Sequence, residues 1–124
     1  MKTNENKIYS LLGLATRAGK IVSGDDGTLL ELKRGNVKLV IVADDASNNT
    51  KKLFKDKSSY RSIPYVYFST KSQIGLCIGK APRAAIGVKD SNFANKILEL
   101  IKTLETTEVN ETSEMIEVIE TPKI

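Results

Sequence analysis

The chain contains no histidine. That one absence removes imidazole acid–base catalysis, serine or cysteine nucleophiles activated by histidine, and histidine metal sites. The groups left for chemistry are two adjacent carboxylate pairs, Asp25-Asp26 and Asp44-Asp45, one thiol, Cys77, and two stretches joining glycine to lysine, Gly13–Lys20 and Gly75–Lys80. Neighbouring carboxylates point in different directions, so neither pair makes a complete catalytic or magnesium site. Asp44-Asp45 follows a strongly apolar run, and the simpler expectation is that Asp45 or Ser47 caps the helix after it. Cys77 sits among apolar residues with no nearby charge to stabilise a thiolate, which fits core packing. A phosphate loop needs four residues between its glycines and Ser or Thr after the lysine. Here the spacings are wrong and Ile21 and Ala81 follow the lysines, so nucleotide hydrolysis is rejected. No dinucleotide-binding glycine triplet is present.

Two segments keep their interest. In Lys20 to Thr28 a glycine turn at Gly24 opens a helix, so free amides stand beside a lysine, an arrangement that binds phosphate. Asp25 or Asp26 could instead accept from a guanine edge. In Gly79 to Arg83 two cations, Lys80 and Arg83, flank the small Ala81-Pro82 pair. A basic loop beside a polar glycine turn suits folded RNA, where backbone shape and splayed bases are read together.

The charge distribution points the same way. Residues 1–104 carry 18 Lys+Arg against 9 Asp+Glu, or +9, and residues 105–124 carry 1 against 6, or −5, for the overall +4. A basic body fits a polyanionic partner. The acidic tail from about Glu105 is expected to be flexible, with RNA-competing contact to the basic body as the alternative. No apolar run approaches the roughly 20 residues that span a bilayer. The first ten residues lack a signal-peptide core, and a single cysteine makes no internal disulfide. The expectation is a cytoplasmic monomer without cofactor or metal.

The elements that position these loops follow from periodicity. Ile8, Leu11, Leu12 and Ala15 predict a helix over about 5–17, with Asn4 as its cap. Lys20 to Ser23 is a short β-prone piece, and the next helix ends at Gly35. Val37 to Ala43 is a nearly continuous apolar run, as in a strand buried on both faces. Ser47 caps a helix to about Ser58, and Ile63 to Phe68 form a strand. Thr70 and Gln73 make a capping box for a helix that stops at Gly79. Ala84 to Val88 form a fourth strand. Asp90 or Ser91 caps a last helix with a buried stripe of Phe93, Ile97, Leu100, Ile101 and Leu104. This alternation predicts one three-layer α/β/α sandwich, residues 1–104, around a four-stranded, largely parallel or mixed sheet.

At these residues the sequence resembles the ribosomal protein L-seven-Ae family of kink-turn RNA binders, in particular its bacterial YlxQ-type members. The similarity lies in Leu11–Gly24, Lys38–Thr50, Ile63–Phe68, Ile74–Val88 and Phe93–Leu98. It implies a non-catalytic RNA-binding protein that takes a sharply bent RNA, as part of the ribosome or another ribonucleoprotein. In the family the turn opening the second helix meets tandem sheared G·A pairs. That contact falls here on Gly24, Asp25, Asp26, Gly27, Thr28 and Leu30. A loop before the last strand packs on a flipped-out nucleotide, which falls on Lys80, Ala81, Pro82 and Arg83. Lys20 and Arg34 match flanking basic positions. Archaeal members carry Asn-Glu and a downstream Lys where this chain has Asp26, Gly27 and Leu30, so the amide donor, the guanine-directed carboxylate and one cation are gone. A different bend, such as one within ribosomal RNA, is the alternative target. A protein-interaction module that has kept the fold is the alternative function, and a carboxylate nuclease ranks last. The leading reading requires Lys20, Arg34, Lys80 and Arg83 to converge on one cradle.

Overall fold

The computed structural model describes residues 3–104. The elements run α1 (Thr3–Arg17), β1 (Ile21–Ser23), α2 (Asp25–Lys33), β2 (Leu39–Val42), α3 (Asn48–Tyr60), β3 (Tyr65–Tyr67), α4 (Lys71–Ile78) and β4 (Ala85–Val88), followed by α5 over 91–104. The alternating order is the one the periodicity predicts. The acidic tail lies outside the described residues.

The sheet order is β1-β4-β2-β3. It is the mixed form: only β2–β3 is parallel, and β4 is inserted antiparallel between β1 and β2. Strand alternation then divides the core. Leu39, Ile41, Ile86 and Val88 face α1, α4 and α5, meeting Ile8, Leu12, Ile74 and Ile97. Val40, Val42 and Ala85 face α2 and α3, meeting Leu32 and Phe54. Gly87 lies on this second face, and a Cβ there would sit 3.0 Å from Val22 and 3.1 Å from Val37. β2 is fully buried because it is central in the sheet and covered on both faces.

Local capping agrees with the sequence at three places. Ser47 accepts from the Thr50 amide at 3.1 Å, Thr70 from the Gln73 amide at 3.2 Å, and Asp90 from the Phe93 amide at 2.9 Å. Two details differ. Asn4 lies inside α1 rather than capping it. Asp45, the alternative to Ser47, does not cap α3: its Oδ1 accepts from the backbone N–H of Lys71, 26 residues away, at 2.9 Å, and so joins Thr70 in holding the start of α4. No described helix is long and apolar enough to cross a membrane.

Candidate nucleic-acid interface

The corner of interest is built where β1 ends and β4 begins. The antiparallel register puts Ser23 opposite Ile86, and the Gly24 N–H donates to the Ala85 carbonyl at 3.1 Å. The chain must then turn sharply into α2, and Gly24 does so at φ 88°, ψ 158°. Nothing lies within 4 Å of a Cβ built there. Glycine is therefore required by the backbone conformation and not by space.

The first helical bond of α2 runs from the Thr28 N–H to the Gly24 carbonyl at 3.1 Å. Gly24 offers no side chain to cap the amides before it. The N–H groups of Asp25, Asp26 and Gly27 thus form an open donor set at the positive end of the helix, next to the exposed carboxylates of Asp25 and Asp26. Those carboxylates oppose a bare phosphate. Donors mixed with acceptors suit base edges better, including guanine, which presents both.

The second loop is seated on α4. That helix ends at Gly79, φ 75°, and the chain folds back so that the Lys80 N–H donates to the Gly75 carbonyl at 2.8 Å and the Arg83 N–H to the Lys71 carbonyl at 3.1 Å. Gly75 permits this approach: a Cβ there would stand 2.3 Å from the Ala81 carbonyl oxygen. Arg83 ties the two loops together. Its Nε donates to Ser23 Oγ at 3.3 Å, and its Nη1 to the carbonyls of Ala81 and Pro82, each at 3.2 Å. Lys80, Ala81 and Pro82 are exposed around it.

The structure therefore unites Gly24, Asp25, Asp26, Lys80, Ala81, Pro82 and Arg83 at one end of the sheet. Two expectations need correction. Thr28 is fully buried on the inner side of α2, and its hydroxyl has no hydrogen-bond partner; it supports the helix and cannot touch a base edge from there. Lys20 and Arg34 are not at this corner. Lys20 precedes β1, so four residues of extended chain, about 13 Å, separate it from Gly24. Arg34 follows the far end of α2. The anticipated single cradle of four cations is two groups, at opposite ends of β1.

At the far end Arg34 pairs with Glu31 at 3.4 Å, and Asn36 Nδ2 donates to Glu31 at 2.7 Å. The Asn36 amide, then Arg34 and Lys89, hold the Glu31 carboxyl below its usual range, against the opposing cost of desolvation. Four residues outside the expected RNA-binding set now matter. Gly75 seats the basic loop, Asp45 anchors the helix beneath it, and Lys38 and Lys89 stand beside Lys20. The available signal for the last two is that each lysine abuts a strand end, although the sequence does not say that the ends coincide.

Cys77 is half-buried. Its thiol donates to the Ile74 carbonyl at 3.3 Å, and desolvation pushes its pKa up to about 11, which is the opposite of what a nucleophile needs. Among the described residues no group of three His, Cys, Asp or Glu gathers to hold a metal.

Comparison with known proteins agrees with this architecture. The chain is 44% identical over 99 residues to an RNA-binding protein YlxQ of Enterococcus faecium, spanning 80% of this chain and 95% of that protein. It is 42% identical over 93 residues to an RNA-binding protein YlxQ of Bacillus subtilis, spanning 75% and 93%. A solved structure from Bacillus halodurans superposes with a TM-score of 0.75 at 40% identity, covering 77% of this chain and 97% of that one. Residues 6–98 match the family described as Ribosomal protein L7Ae/L30e/S12e/Gadd45, and the chain belongs to that family.

Proposed function

We propose that this protein is a non-catalytic, cytoplasmic RNA-binding protein. Its β1–α2 and α4–β4 loops take a kink-turn or a comparably sharp bend, such as one in ribosomal RNA, within a ribonucleoprotein. Residues 1–104 are the binding unit, acting as a monomer. The observation that carries this is the joining of the two loops: Gly24 N–H to the Ala85 carbonyl at 3.1 Å and Arg83 to Ser23 at 3.3 Å. That junction fixes an open set of helix amides beside a compact basic loop. A bent RNA presents base edges at the bend and phosphate close by, so one rigid corner reads both. The names of the relatives support an RNA ligand.

A second reading has one observation in its favour. Leu30 is 47% exposed, and an exposed leucine beside the α2 start suits a protein partner. Fluorescence-anisotropy titration separates the two. A synthetic kink-turn duplex is compared with a continuous duplex of equal length and charge. Preference for the bent RNA by tenfold or more is expected. Equal affinity for both removes the bend from the function, and no binding of either at low salt leaves the protein-interaction module.

A further inference from the structure

We propose that a second phosphate-binding surface, formed by Lys20, Lys38 and Lys89, lies at the sheet end opposite the Gly24–Arg83 corner. It takes the sugar-phosphate backbone of an RNA segment beyond the bend. This deepens, and rests on, the RNA reading above.

The topology assembles the surface. β1 and β2 are both antiparallel to β4, so the starts of β1 and β2 share an edge with the end of β4. A lysine abuts each: Lys20, Lys38 and Lys89. The backbone fixes them side by side, the Lys89 N–H donating to the Lys20 carbonyl at 2.8 Å and the Lys38 N–H to the Val88 carbonyl at 2.7 Å. Neighbouring strands lie about 4.8 Å apart, so three ammonium-bearing residues stand within about 10 Å. Together with Gly19, Gly35 and Asn36 they line one open cleft of about 290 Å³, and no carboxylate lines it. Among the described residues none of the three lysines is in an ion pair.

The competing explanation is that the lysines balance helix dipoles. α1 and α2 both terminate at this cleft, through Gly19 at φ 74° and Gly35 at φ 80°. Each helix end carries about −0.5 charge, so the pair offsets about one lysine of three. Glu31, which also attracts Lys89, is balanced by its ion pair with Arg34, accepts from Asn36, and does not line the cleft. A surplus of about two positive charges therefore faces solvent. The cleft is also independent of the corner. Their separation of about 13 Å exceeds the screening length of about 8 Å at physiological salt. A phosphate bound at one end gains little from the other, and a ligand that uses both must be an extended polyanion.

The test compares salt dependences. Lys20→Gln/Lys38→Gln/Lys89→Gln is set against a control of equal charge loss at exposed positions elsewhere, Lys55→Gln/Lys96→Gln/Lys102→Gln. The probes are a synthetic kink-turn RNA with extended stems and the same RNA trimmed to the bend. On the extended RNA the cleft variant should show a log K against log salt slope shallower by about 2–3, three contacts at about 0.7–0.9 each. On the trimmed RNA it should match wild type. The control should match wild type on both, and Lys→Arg at the three cleft positions should keep the slope. Coincident melting curves exclude misfolding. Equal losses in the cleft variant and the control, or a wild type that binds both RNAs with one slope, overturn the second surface alone. A wild type that binds neither RNA at low salt overturns the RNA reading, and the cleft's role with it.

Discussion

Replacing Gly75 with alanine should damage the basic loop without replacing any residue assigned to contact RNA. The new Cβ would lie 2.3 Å from the Ala81 carbonyl oxygen, 2.7 Å from its carbon and 2.9 Å from the Lys80 oxygen. Ordinary contact starts at 3.4 Å, so the loop must retreat by about 1.1 Å, the difference between 3.4 and 2.3 Å. It cannot do so freely. The Lys80 and Arg83 amides pin it to α4 at 2.8 and 3.1 Å, and Arg83 also holds Ser23. Forcing a methyl into packed structure costs about 1–3 kcal/mol, while alanine in place of glycine returns about 1 kcal/mol of helix propensity. The net loss should be up to about 2 kcal/mol, seen as a melting point lower by about 4–8 °C per kcal/mol. The displaced loop also loses one or two charge-assisted contacts with RNA at about 1.5–3 kcal/mol each, which is tenfold or more in Kd. Gly13→Ala is the control: it lies in α1, and its Cβ would meet only the Cys77 carbonyl at an ordinary 3.5 Å. The assay pairs a thermal melt with a kink-turn RNA titration. If Gly75→Ala matches Gly13→Ala in both, the loop is not seated as described and the reasoning fails.

Two further outcomes follow from the same geometry. Asp45→Ala leaves the Thr70 cap of α4 in place but removes the acceptor of the Lys71 N–H, and should cost about 1 kcal/mol; hydrogen exchange at the Lys71 amide should accelerate, and unchanged exchange there would refute that bond. Cys77, its thiol pKa moved from 9.0 to about 11, should be alkylated about a hundredfold more slowly at mildly alkaline pH in native buffer than in urea, and equal rates would contradict its desolvation. The same shift sets a sign: the fold keeps a proton that the unfolded chain releases, so the stabilisation from Cys77 is present below pH 9 and is lost as pH rises through about 11.

The sequence discloses what is local. Helix and strand identity came from spacing, and the caps at Ser47, Thr70 and Asp90 came from residues three positions from their donors. What depends on distant pairing was hidden. β1 and β3 have three residues each, too few to encode partner or direction, so the antiparallel insertion of β4 could not be read. The same insertion brings Lys89 beside Lys20 and Lys38, while β1 itself, lying between Lys20 and Gly24, splits the expected cradle. Asp45 shows the limit plainly. A carboxylate just before a helix favours a local cap, yet its partner is the start of another helix. Gly75 looked like part of a failed phosphate loop, and its role emerges only once the chain at Ala81 folds back over it.

The most direct measurement is an amide chemical-shift map of the protein titrated with the kink-turn RNA. The account predicts the largest shifts at Gly24 to Gly27 and at Lys80, Ala81 and Arg83, with α3 quiet. Shifts concentrated instead on α3 and β3, around Tyr60 and Tyr67, would contradict it.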